Sequence, residues 1–266
     1  MTTTFFSPPG ATVLDTTPMR LFALAAPQAV NLAGILLVDG EPGHGKTCTV
    51  ETWRQQQSIP TLRVQLPGRA TSAAVTQQLL TALRTPHDPT ERVWRLQNRL
   101  MDSLLARPRI LIVDEAQNLG VAGLNQLRYY HDHPDAAWTL VLVGAGISKK
   151  IAKNRELVSR ISRRVAFGPL TGAGLIEALI AYHPTLYPHA PTDLLHQVDE
   201  LLERAGYGRG NLRAWAGFTG AVIDVHRRRN PNLTDLQIAD PTAPGCLPPL
   251  DHKTASSALA LLGGTC

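Results

Sequence analysis

One short segment, GEPGHGKT at positions 40–47, limits what this chain can fold into more than any other feature. It fits the pattern Gly-x-x-x-x-Gly-Lys-Ser/Thr at every fixed position. In such a loop the glycines let successive main-chain N–H groups converge on phosphate oxygens. An apolar run at 35–39 predicts a buried strand before the loop, and residues 47–57 are predicted to form a helix after it. The segment therefore predicts a nucleotide-binding loop between a strand and a helix.

The side chains of this loop have separate expected roles. Lys46 can reach the β and γ phosphate oxygens and is assigned to catalysis, while the Thr47 hydroxyl can bind Mg²⁺. His44 lies at a variable position and receives no catalytic role, and Cys48 is expected chiefly to pack within the helix. The residues expected to contact ATP are Gly40, Glu41, Pro42, Gly43, His44, Gly45, Lys46, Thr47 and Cys48.

A pair of acids follows a second apolar run, ILIVDEAQN at 110–118. A carboxylate at the carboxyl end of a strand faces the crevice in which open α/β sheets bind ligands. Asp114 is therefore expected to hold Mg²⁺ through water, and Glu115 to orient and deprotonate the attacking water. The alternative is a solvated turn. Together with the loop, the pair predicts an ATP hydrolase that uses Mg²⁺.

Two neighbouring enzyme classes are disfavoured. The tetrapeptide DEAQ is reminiscent of helicases, but those enzymes need two such domains in tandem and a chain of 266 residues has room for one. The guanine-reading sequence NKxD of GTPases does not occur.

Strands alternate with helices up to residue 168, which predicts an α/β fold with a parallel five-stranded sheet covered by helices. The predicted strands are 35–39, 61–66, 109–113, 138–143 and 165–167, with a basic helical stretch at 148–163. After residue 168 only helices are predicted, at 175–182, 192–204 and 211–229. The expected division is a flexible N-terminal arm at 1–16, an ATPase core at 17–168, a small all-helical lid at 169–240 and a flexible tail at 241–266 that holds a short helix at 256–262.

Composition narrows the setting. Apolar residues make up 44% of the chain, which is enough for a sizeable core. The three cysteines, Cys48, Cys246 and Cys266, are odd in number and form no CxxC pair, so a disulfide framework and a zinc cluster are both disfavoured. No signal peptide or membrane-spanning run is apparent. We expect a cytoplasmic protein without a membrane partner.

Positive charge is concentrated between residues 149 and 164, within a net charge of +5. Such a cluster can neutralise DNA phosphates and release counterions, and without aromatic residues it is suited to backbone contact that is largely independent of sequence. The residues expected to bind duplex DNA are Lys149, Lys150, Lys153 and Arg155. The alternative is a solvated basic helix that packs on a neighbouring subunit. A second basic patch lies at 226–229.

The order of these motifs resembles the AAA+ ATPase superfamily. The likeness covers residues 17–230 and rests on GEPGHGKT, LIVDEAQNL at 111–119, VGAG at 143–146 and GNLR at 210–213. Within the superfamily the chain is similar to the DNA-transposition ATPases, the MuB, TniB and TnsC group, through LRYYHD at 127–132, LVLVG at 140–144 and L-x-SRI at 157–161. Secretion-system and replication-initiator ATPases share much of this pattern.

The resemblance implies a homo-oligomer with ATP at the subunit interfaces. It implies that Arg160 or Arg163, and less so Arg164, reaches the neighbour's γ-phosphate, and that Arg213 senses the nucleotide. One departure is that the fourth strand ends in Gly144-Ala145-Gly146, where the family usually has a polar residue that helps to place the water. Hydrolysis is then slow, or another residue supplies the contact.

Two functional hypotheses follow. The first is an ATP-dependent, DNA-binding oligomer that supports transposition by selecting target DNA and activating a transposase. The alternative is an ATP-driven assembly or signalling switch that acts on protein partners, as in secretion-linked relatives, without DNA.

Overall fold

Five short segments pair into one parallel sheet in the computed structural model, which describes residues 7–66, 68 and 71–263. The strands are β1 (Ile35–Gly40), β2 (Thr61–Gln65), β3 (Arg109–Asp114), β4 (Trp138–Gly144) and β5 (Ile161–Phe167). Their order across the sheet is β2-β3-β4-β1-β5, and every neighbouring pair is parallel. The predicted α/β fold with a parallel five-stranded sheet is confirmed.

Helices cover both faces of this sheet, because side chains alternate between the faces along each strand. Ile35 and Leu37 of β1 face one side, where they join a core with buried residues of α3 to α7. Leu36 and Val38 face the other side and pack in a core with α1 and α2. The helices of this unit are α1 (Thr17–Asn31), α2 (Lys46–Gln55), α3 (Ser72–Ala82), α4 (Val93–Leu105), α5 (Val121–His131), α6 (Ile147–Ile151) and α7 (Arg155–Val158).

The segment around residues 148–167 differs from the prediction. The basic helical stretch consists of two short helices, α6 and α7, and β5 begins at Ile161 rather than at residue 165. Arg163 and Arg164 therefore lie within the strand, in register with Leu36 and Leu37 of β1. Because β5 is an edge strand, it can carry charged side chains, and the apolar pattern that marks a buried strand is missing from its first half.

The described chain divides into two units, of which the sheet unit comprises Thr17–Pro42 and Lys46–Phe167. The other unit is helical and comprises residues 7–16, Gly43–Gly45 and 168–263. Its helices are α8 (Gly172–Tyr182), α9 (Thr192–Arg204), α10 (Leu212–Arg229), α11 (Asp235–Ala239) and α12 (His252–Leu261).

Aromatic rings lie at the centre of the helical unit. Trp215 meets Tyr187 edge to face at 5.9 Å and Phe218 at 5.5 Å, and the Tyr187 hydroxyl lies 2.7 Å from Thr219 Oγ1. The rings bury a large apolar area and meet in the edge-to-face geometry that aromatic pairs favour, and the buried Tyr187 hydroxyl has a hydrogen-bond partner. The segment after residue 168 thus has a core of its own.

Residues at both ends of the described chain contribute to this helical unit. Leu247, Leu250 and Ala258, from the region expected to be a flexible tail, are buried in its core. In the expected N-terminal arm, the Thr12 main-chain N–H donates to the Tyr182 carbonyl at 2.8 Å. The outermost parts of the expected arm and tail, 1–6 and 264–266, lie outside the described residues.

The GNLR segment begins α10 in a way that explains its composition. Gly210 has φ of +56°, and a Cβ there would lie 1.9 Å from the Leu170 carbonyl oxygen, so only glycine fits. Its N–H donates to the buried Asp199 carboxylate at 3.0 Å, which also accepts from Trp215 Nε1 at 2.9 Å. The Asn211 side chain then caps the helix by accepting from the Arg213 and Ala214 amides.

No helix in the described part of the chain is both long and apolar enough to cross a membrane.

Buried histidines predict a loss of stability in acid. Burial lowers the pKa of His183, so the unfolded chain binds a proton at a higher pH than the folded chain does. The free energy of unfolding is therefore expected to fall as the pH drops through the unfolded histidine pKa, near 6.5, towards 5. Urea unfolding at several pH values measures this slope.

The slope should become shallower in His183→Gln, which removes the titrating ring. His189→Gln is the matched control, because His189 is exposed in the same connection between α8 and α9. An identical slope in wild type and His183→Gln would contradict the assignment.

Candidate functional site

The phosphate-binding pattern forms a tight turn between β1 and α2. Gly40 ends β1 with φ of +154°, and a Cβ on it would lie 2.2 Å from the Phe167 carbonyl oxygen of β5. Helix α2 begins at Lys46, so the positive end of its dipole meets the loop. The sequence folds this way because a side chain at position 40 would force β1 and β5 apart.

Lys46 connects this loop to the acidic pair. Its buried ammonium donates to the Gly40 carbonyl at 2.5 Å and to the Glu41 carbonyl at 2.8 Å. Burial lowers the pKa of Lys46, and the negative charges of Glu115, Asp114 and Asp39 oppose that shift. The structure therefore brings the loop lysine within electrostatic reach of both predicted acids.

The two acids occupy different backbone positions at the end of β3. Asp114 is the last residue of the strand and is buried, and its Oδ1 accepts from the Glu115 N–H at 2.9 Å. Glu115 follows with φ of +54° and ψ of 37°, a left-handed conformation that is uncommon for a residue with a side chain. Such conformations cost about 1–3 kcal/mol and persist only where the surroundings hold them.

Asp39 belongs to the site although the sequence reasoning did not single it out. Its carboxylate accepts from the Gly40 N–H at 2.8 Å and from the Ile147 and Ser148 N–H groups at 3.1 Å each. It thus ties the end of β1 to the start of α6, next to the phosphate loop. Its position directly before the loop, at a strand's carboxyl end, is the sequence signal that could have identified it.

Arg63 also belongs to the site, and unlike Asp39 it has no sequence signal that could have identified it. From β2 it forms an ion pair with Asp114 Oδ2 and lies 3.7 Å from Glu51 Oε2. Glu51 is in turn bound by Arg54, whose hydrogen bonds are the main reason that the pKa of Glu51 is lowered. The Asp114 carboxylate is therefore already bound on both oxygens by groups of the protein.

The donors expected for Mg²⁺ fit that ion chemically. Thr47 offers a hydroxyl in the first turn of α2, and Asp114 offers a carboxylate at the end of β3. Hydroxyl and carboxylate oxygens are hard ligands, and Mg²⁺ commonly retains several waters beside one or two carboxylates. With both Asp114 oxygens engaged, contact through water is the mode that suits this residue.

Other residues of the loop region lie as follows. His44 is buried, whereas Glu41 and Pro42 are exposed. Burial raises the pKa of the half-buried Cys48 thiol, which disfavours the reactive thiolate.

The candidate arginines differ in their present partners. Arg160 precedes β5, is half exposed and pairs with Asp132 at 2.7 Å. Arg163 donates to Gln28 Oε1 and to the Ser162 carbonyl, both at 2.6 Å. In the helical unit, Arg213 is exposed in the first turn of α10, and its main-chain N–H donates to the Gly43 carbonyl at 3.3 Å.

The candidate DNA-binding residues are mostly on the surface. Lys149, Lys153 and Arg155 are exposed on and between α6 and α7. Lys150 is only partly exposed, and its ammonium donates to the main-chain carbonyl of Gln117. Lys150 is therefore the member of the set that is committed to a contact within its own unit.

The second basic patch is partly neutralised within the helical unit. Arg227 pairs with Asp235 at 2.6 Å, and Arg229 donates to Thr254 Oγ1 at 3.1 Å.

Comparison with known families identifies the segment that carries this site. Residues 30–149, which include β1 to β4, the phosphate loop and the acidic pair, match the model of a family described as an AAA domain. No curated protein matches the chain.

Several solved structures share the fold. The Orc1 protein of Aeropyrum pernix, in complex with DNA, has a TM-score of 0.63 at 16% identity. The match covers 95% of this chain and 66% of the Orc1 chain. Cdc6p of Pyrobaculum aerophilum has a TM-score of 0.65 at 15% identity, and the match covers 86% of this chain and 67% of the Cdc6p chain. The Orc2 protein of Aeropyrum pernix, in ADPNP–ADP complexes, has a TM-score of 0.57 at 14% identity, and the match covers 88% of this chain and 68% of the Orc2 chain.

This chain thus spans about two thirds of the length of these structures, and at such identities the likeness is one of fold. Neither comparison supports the narrower grouping with DNA-transposition ATPases. The comparisons thus show an AAA-domain match over residues 30–149 and a fold shared with these structures.

Proposed function

We propose that this protein binds and hydrolyses ATP with Mg²⁺ and that its ATP-bound form assembles on duplex DNA. One observation carries the ATPase part. Lys46 begins α2 directly after the loop at the carboxyl end of β1, and Asp114 and Glu115 lie at the carboxyl end of β3 on the same edge of the parallel sheet, where their charges oppose the burial that lowers the pKa of Lys46. A cation for phosphate oxygens and a base for water then belong to one site.

The chain's own groups suit phosphoryl transfer to water. The Lys46 ammonium would donate to the β and γ oxygens in place of the loop carbonyls. Glu115 would accept a proton as the water oxygen bonds to the γ-phosphorus and the bond to the β–γ bridging oxygen breaks, which releases ADP and phosphate. Bound Mg²⁺, held by Thr47 and through water by Asp114, would offset charge on the phosphates.

The DNA part rests on the exposed cations of α6 and α7. Lys149, Lys153 and Arg155 can reach phosphates, whereas Glu156 is the acid among them. The A. pernix Orc1 structure of the same fold was solved in complex with DNA, which makes DNA a reasonable partner to test here.

Assembly as a homo-oligomer, with ATP at the interfaces, needs a cation from the neighbour. A guanidinium suits this role because its delocalised charge and planar donors match phosphate oxygens. Of the two arginines expected to reach the neighbour's γ-phosphate, Arg160 is the better candidate, because its side chain is half exposed. Arg160 pairs with one carboxylate, that of Asp132, whereas Arg163 is bound to Gln28 of its own subunit. Arg213 is proposed to sense the nucleotide.

Participation in transposition, with a transposase as partner, is a narrower proposal that rests on the order of motifs alone. A DNA-bound oligomer of this kind should bind the transposase only with ATP and DNA present. The alternative, a switch that acts on proteins, requires nucleotide-dependent partner binding and ATP turnover that DNA leaves unchanged.

Lys46→Ala is expected to weaken ATP binding at least about 100-fold, because charge-assisted hydrogen bonds to phosphate are worth roughly 1.5–3 kcal/mol each. Fluorescence titration with a labelled ATP analogue measures the affinity. Lys253→Ala removes the same charge from an exposed site and serves as the control. Equal affinity in wild type and Lys46→Ala would show that the loop does not bind the triphosphate.

Glu115→Gln is expected to retain ATP binding but to lower kcat roughly 100-fold or more, because the amide cannot accept the proton from water. Phosphate release gives kcat, and the same titration gives the affinity. The exposed Glu177→Gln is the control for loss of a carboxylate. Normal turnover in Glu115→Gln would remove Glu115 as the base.

The triple variant Lys149→Ala, Lys153→Ala and Arg155→Ala should bind duplex DNA more weakly in the presence of a non-hydrolysable ATP analogue. The salt dependence of log K should become shallower by roughly three units, since each phosphate contact contributes about 0.9. Gel shifts over a range of salt concentrations measure both effects.

The matched control for this variant removes three exposed arginines of the same unit, Arg92, Arg95 and Arg107. If both triple variants lose affinity equally, the α6–α7 segment is not a specific interface. If the wild type binds no duplex at low salt, the DNA part of the proposal is wrong and the protein-directed alternative stands.

A further inference from the structure

Gln117 links the acidic pair to the end of the fourth strand. It lies in the short 3-10 helix Ala116–Asn118 that follows β3. Its Nε2 donates to Glu115 Oε2, and its Oε1 accepts from the Ala145 N–H at 3.1 Å. Both ends of the side-chain amide are therefore used, one on the proposed base and the other on the backbone just after β4.

Three contacts hold Gln117 in place. Besides the two hydrogen bonds of its side-chain amide, its main-chain carbonyl accepts a hydrogen bond from the Lys150 ammonium. The amide oxygen also occupies the space over Gly144, where a Cβ would lie only 2.3 Å from it. A side chain at position 144 and this placement of Gln117 therefore exclude each other.

This arrangement explains how the fourth strand can end without a polar side chain. A glutamine anchored from the neighbouring turn already places an amide at that point, in contact with Glu115. Nε2 donates to Oε2 of the Glu115 carboxylate and fixes that oxygen. The other carboxylate oxygen is then left to accept a hydrogen bond from water. The left-handed backbone of Glu115 also requires contacts that hold it in place.

We propose that Gln117 is a positioning residue for Glu115 and supplies, from the turn after β3, the polar contact that the end of β4 lacks. The proposal rests on the function proposed above, because it assumes that Glu115 activates the attacking water. It assigns Gln117 a role in the rate of hydrolysis and none in holding the nucleotide.

The test uses the full chain and separates kcat from affinity. Gln117→Ala should lower kcat roughly tenfold or more, which corresponds to the loss of one hydrogen bond to a charged group, while the Kd for a labelled ATP analogue stays within about twofold. Gln117→Met, which keeps the bulk over Gly144 but has no donor, should show the same loss and guards against a folding defect in the alanine variant.

Asn118→Ala is the matched control. Asn118 is the next residue of the same turn, is partly exposed like Gln117, and donates to the Leu66 carbonyl at 3.0 Å rather than to Glu115. Asn118→Ala should lower thermal stability to a degree similar to that of Gln117→Ala but leave kcat unchanged. A purely structural role for Gln117 would make the two variants alike.

A rescue experiment exploits the exclusion between positions 117 and 144. Gln117→Ala removes the atom that a Cβ at 144 would meet at 2.3 Å and leaves the main-chain N of residue 117 at 3.1 Å and Ile147 Cβ at 3.3 Å, so adding Gly144→Ser requires only a small adjustment to place a hydroxyl donor near Glu115. The double variant should recover part of the lost kcat, whereas Gly144→Ser alone should reduce stability because its Cβ meets the glutamine amide.

The outcomes separate this proposal from the function on which it depends. If wild type and Asn118→Ala hydrolyse ATP and both Gln117 variants do so at the same rate or faster, the positioning role is refuted while the ATPase assignment stands. If the wild type hydrolyses no ATP, the proposed function fails and the role of Gln117 falls with it.

Discussion

A buried ammonium keeps its charge only where anionic or polar groups compensate for the lost water, and this requirement at Lys46 organises the sheet unit. The compensation comes from two loop carbonyls and from the carboxylates of Glu115, Asp114 and Asp39. Asp39 is the penultimate residue of β1, Asp114 ends β3 and Glu115 follows it, and β4 separates these two strands in the sheet. Only a parallel arrangement brings the carboxyl ends of all three strands to one edge, so the chemistry of the loop depends on the topology of the sheet.

The sequence predicts this sheet well where strands are buried on both faces. β3 and β4 are buried along their whole length and appear in the sequence as continuous apolar runs. β5 starts four residues earlier than predicted, because an edge strand with arginines at 163 and 164 lacks that pattern. Similarly, the buried residues after 240 pack in the core that contains α10, a contact between segments distant in sequence that a local pattern does not reveal.

The same distinction applies to the site. Lys46, Thr47, Asp114 and Glu115 belong to contiguous motifs and can be found without a structure. Arg63 reaches Asp114 from a neighbouring strand, a partner that no local spacing reveals. Gln117 stands inside the DEAQ motif, but its partner at Ala145 is 28 residues away, so its contacts require the fold. Polar networks between strands are the part of a site that sequence patterns leave open.

The close approach of the Gln117 amide to Gly144 also constrains how this chain can change. With glutamine at 117, any larger residue at 144 meets the amide oxygen at 2.3 Å, whereas without it the next atoms that a Cβ would meet lie at 3.1 and 3.3 Å. The effect of a substitution at either position therefore depends on the residue at the other. Related chains should vary at these two positions together, so that a polar side chain at the end of β4 accompanies a smaller residue in the turn after β3.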